Sequence, residues 1–279
     1  MIGRVVQLTN EIRAVYGLAP LQVHPALIHS AQWMARDMVQ HNYLCHTDSL
    51  GREIDPRLPG FGYSDYREIG ENIAGGQLTA EEVVADWMRS PGHRANLLNP
   101  TFREIGVAHF NGDHTHFKHY WVQDFGTRSD TYPVVINNKA PETNDPAVHL
   151  YVYGEGWAQQ MRFSNDRVHW SDWMPYQPRC TWKMNAGYGD RTVYAEVRGE
   201  GMIRRSMDTV HLQAPRQDTL IASAVTIHAI HRCRPNRPPN GLLKKQAGTQ
   251  AFRPVSFLFS GRYSRYYSVS SARSLCLPD

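Results

Sequence analysis

The spacing of apolar residues changes character once along this chain, and that change restricts the folds open to it. In three stretches before residue 90 they recur every third or fourth position, as on one face of a helix; in runs between residues 104 and 126 and again from residue 148 they alternate, as on one face of a strand. Val5, Leu8, Ile12 and Val15 make a first helical stripe, ended by Gly17 and Pro20. After Pro25, a second stripe of Leu27, Ala31, Met34 and Met38 stops near His41 and Asn42. The spacing predicts a third helix in "TAEEVVADWM", where Thr79 caps and Glu82 closes a capping box, with Pro91 and Gly92 ending it. "HRANLL" reads as a short turn closed by Asn99 and Pro100. "EIGVAHF" and "HYWVQDFG" read as a hairpin around "NGDHTH". Three helices and a hairpin make an α+β domain over residues 1–128.

Residues 129–147, rich in Pro, Asn and Asp, read as a linker around a short apolar "PVVI". From residue 148 to 214, alternating runs are separated by Asn, Asp and Gly every ten or so positions, which predicts an all-β sandwich. Trp170, Trp173, Trp182, Met161, Phe163, Val193 and Val197 are its expected core. Residues 215–279 follow neither pattern. They hold ten Lys or Arg against Asp218 and Asp279, so the basic balance of the chain belongs to this tail. The tail is read as unassigned, either a disordered surface-binding segment or an out-of-frame end.

With the basic excess confined to the tail, a nucleic-acid partner is not expected. The four cysteines lack metal-type spacing and imply no disulfide framework. The chain opens directly on an amphipathic pattern, with no signal peptide, and contains no transmembrane run. Oligomeric state is not legible.

Four motifs of the first domain carry chemistry: "CHTDSLGRE" with His46 and Asp48, "GENIAGG" with Glu71 and Asn72, "SPGHRANLL" with Ser90 and His93, and "HYWVQDFG" with Tyr120. In this order and spacing, together with "LTNEIRAVYGLAPLQVHPAL", they resemble the CAP superfamily, or SCP domain. That family unites cysteine-rich secretory proteins, antigen 5 and pathogenesis-related proteins with a bacterial branch. The resemblance covers about residues 5–126. It implies an α-β-α sandwich, an extracellular or cell-surface location, and a cleft of histidines and acids to which His46 and Glu71 correspond. Ser90 and Tyr120 stand where eukaryotic members carry a second glutamate and a second histidine, and His93 of the bacterial motif takes over the latter role.

Two imidazoles and a carboxylate supply three ligands to a divalent metal, so His46, His93 and Glu71 are candidate zinc ligands and candidate catalytic groups. The same trio also suits a hydrogen-bonded scaffold where loops converge. A nucleophile is disfavoured, because Cys45 and His46 point to opposite faces of an extended segment. The histidines at the hairpin tip, His114, His116 and His119, read as a polar loop.

The second domain resembles immunoglobulin-like or fibronectin type III-like modules through "MRFSNDRVHWSDWMPY" and "YGDRTVYAEVRGEG". The combined expectation is an extracellular protein that binds a lipid, glycan or cell-wall ligand through the His/Glu cleft. Its rivals are a metal-dependent hydrolase or protease using His46, Glu71 and His93, and a structural surface module without an active cleft.

Overall fold

The computed structural model describes residues 1–129 and 131–214, and the backbone of 267–269. The expectations for the rest of the tail lie outside the described residues. Helix α1 (Ile2–Val15) is followed by strand β1 (Gln22–Val23) and helix α2 (Pro25–His41). His24 caps α2 by accepting from the Ala26 amide, Pro25 occupies the first turn, and Asn42 ends the helix at φ 51°. A short helix α3 (Ile54–Arg57) leads through a 3₁₀ turn into strand β2 (Tyr66–Gly75). Helix α4 (Ala80–Arg89) starts as the sequence predicts. Thr79 Oγ1 accepts from the Glu82 amide at 3.1 Å, while Glu82 Oε2 reaches back to the Leu78 amide at 2.8 Å.

"HRANLL" is more than a turn: Pro91–Leu97 forms helix α5, with Ser90 at its N-cap position. Strands β3 (Glu104–Gly112) and β4 (Lys118–Arg128) form the predicted hairpin. They build a sheet in the order β1-β3-β4-β2, with β4 antiparallel to both long neighbours; at its far edge β2 pairs with β13 (Tyr267–Val269). Strand β2 was not legible as one, because "GENIAGG" lacks the β-branched alternation of a strand.

The sheet divides the domain into layers. On one face α2 packs Ala31, Met34, Ala35 and Met38 against Ile73, Ala108, Tyr120 and Val122. On the other, α1 and α4 pack Val5, Val6, Val83 and Trp87 against Ala74, Val107, Trp121 and Phe125. This is the expected three-layer α-β-α order. Two glycines permit it. A Cβ on Gly106 would collide with the backbone of Leu27 and Ile28, and one on Gly126 with the Tyr63 ring.

The first stripe on α1 differs from expectation. Val15 is 84% exposed, while Thr9, Asn10 and Arg13 are buried. Arg13 is accommodated because its guanidinium donates to the carbonyls of Ala19, Leu97 and Asn99, between 2.8 and 2.9 Å.

The β-rich part consists of two sheets. Strands β5 (Val134–Ile136), β7 (Ala147–Val152) and β10 (Arg179–Lys183) make a three-stranded one. The other contains β6 (Glu142–Thr143), β8 (Gln160–Ser164), β9 (Met174–Pro175), β11 (Gly189–Gly199) and β12 (Met202–Leu212). Met161, Phe163, Val193 and Val197 lie in the shared core, with Trp182 packed against it. The stretch read as a linker carries β5 and β6. Its "PVVI" is fully buried, and the Asp208 carboxylate accepts from the Ile136 amide at 2.8 Å. Tyr153 Oη donates to Pro20 O at 2.9 Å and Gln22 Nε2 to Val134 O at 2.9 Å, so this part rests directly on the first domain.

Trp170 and Trp173 are not core residues. They lie against the outer face of β8 and β11, where arginines occupy the alternate positions. Spacing alone does not say which side of a sheet a loop tryptophan covers. Among the described residues, no helix is long and apolar enough to cross a membrane.

Candidate functional site

The pleat of β2 sends consecutive side chains to opposite faces of the sheet, and this separates two residues that adjoin in sequence. Glu71 points to the α2 side with Ile73. Asn72 points to the α4–α5 side, where it donates to Gln123 Oε1 at 3.1 Å and to His93 O at 3.3 Å, and accepts from Asn96 Nδ2 at 2.9 Å. Gln123 continues the chain by donating to Thr9 Oγ1 at 3.0 Å. Asn72 therefore ties α5 and α1 to the sheet.

On the opposite face Glu71 collects an ionised network. His46, in the segment after α2, approaches Glu71 Oε1 through Nδ1 at 2.8 Å. The fully buried Arg57, at the end of α3, donates to Glu71 Oε2, to Ser30 Oγ at 3.3 Å and to Met34 Sδ at 3.2 Å. Asp124 stands directly opposite Glu71 in the β2–β4 register and is also fully buried. Neither Asp124 oxygen makes a hydrogen bond of good geometry among the described residues.

Electrostatics divides the two acids. Burial would raise the Glu71 pKa, but the Arg57 charge and the His46 hydrogen bond hold it below the usual carboxylate value. Burial and then the Glu71 charge push Asp124 well above that value, with Arg57 opposing. Two carboxyls this close do not both ionise: Glu71 carries the negative charge and Asp124 the proton. An ionised carboxylate only accepts, so the proton between His46 and Glu71 sits on Nδ1, and the imidazole is held in one tautomer and orientation. Of this network, His46 reaches solvent most, at 8% exposure.

The other candidates are distributed around this group. Asp48 accepts from the amides of Leu50 and Arg52 at 3.0 and 2.8 Å, from Arg52 Nε at 3.0 Å and from Trp33 Nε1 at 3.3 Å. Burial opposes ionisation, yet the bonds from Arg52 and Trp33 leave its pKa lowered, so Asp48 folds the loop that follows His46. Ser90 joins α4 to α5 and makes no side-chain cap bond. His93 is fully buried in α5. Tyr120 is buried in the α2-side core, with its hydroxyl 3.4 Å from Asn42 Oδ1. At the hairpin, His119 Nδ1 lies 3.1 Å from His109 Nε2, while the His116 amide donates to Asn42.

Both Glu71 oxygens already accept bonds, from His46 and from Arg57, so a metal ion at Glu71 would compete with those donors. Among the described residues, no three His, Cys, Asp or Glu side chains are grouped to hold one. Sequence reading missed Arg57 and Asp124. Asp124 had a faint signal, an acid in an otherwise apolar strand; Arg57, in "IDPRLPG", had none.

Comparison with known proteins finds a family match over the segment that holds the paired histidine and glutamate. Residues 6–125 match the cysteine-rich secretory protein family, CAP. The "Uncharacterized protein YkwD" of Bacillus subtilis (strain 168) is 44% identical over 123 residues, which cover 44% of this chain and 45% of that protein. The "Uncharacterized membrane protein YlbC" of the same organism is 34% identical over 105 residues, covering 38% of this chain and 30% of that one. This chain thus spans less than half the length of these CAP-segment relatives. A solved structure, an extracellular protein containing a SCP domain from Bacillus anthracis str. Ames, has a TM-score of 0.41 and 28% identity, covering 46% of this chain and 40% of that one.

Proposed function

We propose that residues 6–125 form an extracellular binding module whose contact group is His46, held by Glu71, and whose ligand is a lipid, glycan or cell-wall component. The observation that carries this reading is the 2.8 Å bond between His46 Nδ1 and Glu71 Oε1, backed by the Arg57 ion pair. The bond fixes the ring, so a ligand hydroxyl or phosphate meets an imidazole whose ordering cost is already met. The CAP match, described as a secretory family, supports an extracellular setting. The engaged oxygens of Glu71 favour binding over the metal-dependent hydrolase reading. The β-sandwich is read as an immunoglobulin-like or fibronectin type III-like companion module.

Co-sedimentation of the purified chain tests this reading, with insoluble peptidoglycan in one arm and phosphatidylglycerol vesicles in the other. We expect the chain to sediment in one arm, and His46→Ala to reduce the bound fraction about tenfold, the loss of one hydrogen bond to a charged partner. No sedimentation in either arm, or equal sedimentation of His46→Ala, would overturn it in favour of a structural module.

A further inference from the structure

The tryptophans displaced from the core build a second surface. Arg162 Cζ lies 5.0 Å from the Trp170 ring centre and 4.6 Å from that of Trp173, and Arg198 Cζ lies 4.1 Å over Trp173. Cation and ring thus interleave in the order Trp170, Arg162, Trp173, Arg198. Beneath them Glu196 accepts from Arg162 Nε and from Arg205 Nε, each at 2.7 Å, so one carboxylate orients two guanidinium groups. Burial raises the Glu196 pKa, but the hydrogen bonds from Arg205 and Arg162 hold it below the usual carboxylate value.

The loop that carries Trp170 is tightly tied. Asp166 Oδ1 accepts from the amides of Val168 and His169 at 2.8 and 2.7 Å, and the Ser171 amide donates to Phe163 O at 2.9 Å. Ser171 Oγ in turn accepts from the Phe163 amide at 3.1 Å, and Trp170 forms a β-bridge with Ser164. Beside this stack is an open cavity of about 360 Å³, with Trp170 and Tyr194 as aromatic walls and Arg167 and Arg205 as cations. Glu196 is the acid that lines it, and it is already shared between Arg162 and Arg205.

We propose that this cavity binds one sugar unit bearing a carboxylate or a phosphate, within an extracellular polysaccharide. Its volume falls in the range of small-ligand sites. A pyranose presents an axial C–H face to an aromatic wall, and its acidic group suits the planar fork of arginine, which pairs with carboxylate or phosphate through parallel hydrogen bonds. A neutral apolar ligand would desolvate Arg167 and Arg205 and offer neither a new charged partner, which costs binding energy. The site lies on the β-sandwich and does not depend on the His46–Glu71 group.

Calorimetric titration of the full chain tests it with four probes: a galacturonic acid oligosaccharide, a phosphomannan oligosaccharide, maltohexaose and inorganic phosphate. We expect one charged oligosaccharide to bind, its identity separating the carboxylate source from the phosphate source, while maltohexaose does not. Trp170→Leu and Arg167→Gln should each weaken binding about tenfold, the effect of one charge-assisted bond or one ring contact. Arg167 is an exposed loop residue, so its substitution decides the matter even if Trp170→Leu disturbs the fold. The proposal fails if neither charged sugar binds, if maltohexaose binds equally, if inorganic phosphate binds as tightly as the sugars, or if both variants bind as the parent does.

Discussion

Replacing Arg57 with methionine removes the fully buried cation that donates to Glu71 Oε2. The carboxylate then remains buried, opposite Asp124, with His46 as its remaining bonded partner. Removing one member of a buried ion pair costs about 3–5 kcal/mol, because the other is left desolvated and uncompensated. The Arg57 bonds to Ser30 and Met34 are lost with it, which places this variant toward the upper end. For a domain of this size that corresponds to a fall in Tm of about 15 °C. Urea unfolding followed by far-UV circular dichroism at pH 7 measures the loss, and Glu71→Gln in the Arg57→Met background separates charge from packing. If the stranded carboxylate is the cause, the double variant recovers at least half of the loss. A loss below about 1 kcal/mol in Arg57→Met, or a double variant as unstable as the two single losses added, would refute the reasoning.

Two further outcomes follow from the same core. Asp124 has a raised pKa in the folded chain, so between the unfolded value near 4 and its folded value the native state holds a proton that the unfolded state releases. Stability therefore falls as pH rises through that window, by at most about 1.4 kcal/mol per pH unit, and Asp124→Asn should flatten the decline in unfolding midpoints measured from pH 5 to 8. Glu71, with a lowered pKa, acts in the opposite sense and only at lower pH: its contribution is lost as pH falls below about 4. A parent chain whose stability is flat from pH 5 to 8 would contradict the assignment of the proton to Asp124. Gly106→Ala should cost about 3 kcal/mol, since the added methyl meets the backbone of Leu27 and Ile28 and α2 must lift from the sheet; an unfolding midpoint equal to the parent's would contradict that packing.

What the sequence determined by itself is local. The capping box at Thr79 and Glu82 and the break at Pro91 and Gly92 are decided by residues within a few positions of one another, and the structure carries them where the pattern places them. The motif order also pointed to His46 and Glu71, which do meet. Faces, register and depth were decided by tertiary structure, since they depend on which strand lies beside which. The β2–β4 register sets Asp124 opposite Glu71 and so decides which acid keeps its proton. The pleat turns Asn72 to the other face, toward α5 and the backbone of His93. Arg57, arriving from a short helix with no sequence signal, closes the charge balance that allows Glu71 to be buried. Trp170 and Trp173 looked like core by composition, yet their rings lie on the outer face of the sandwich against the guanidinium groups of Arg162 and Arg198, an arrangement that no spacing rule within the chain encodes.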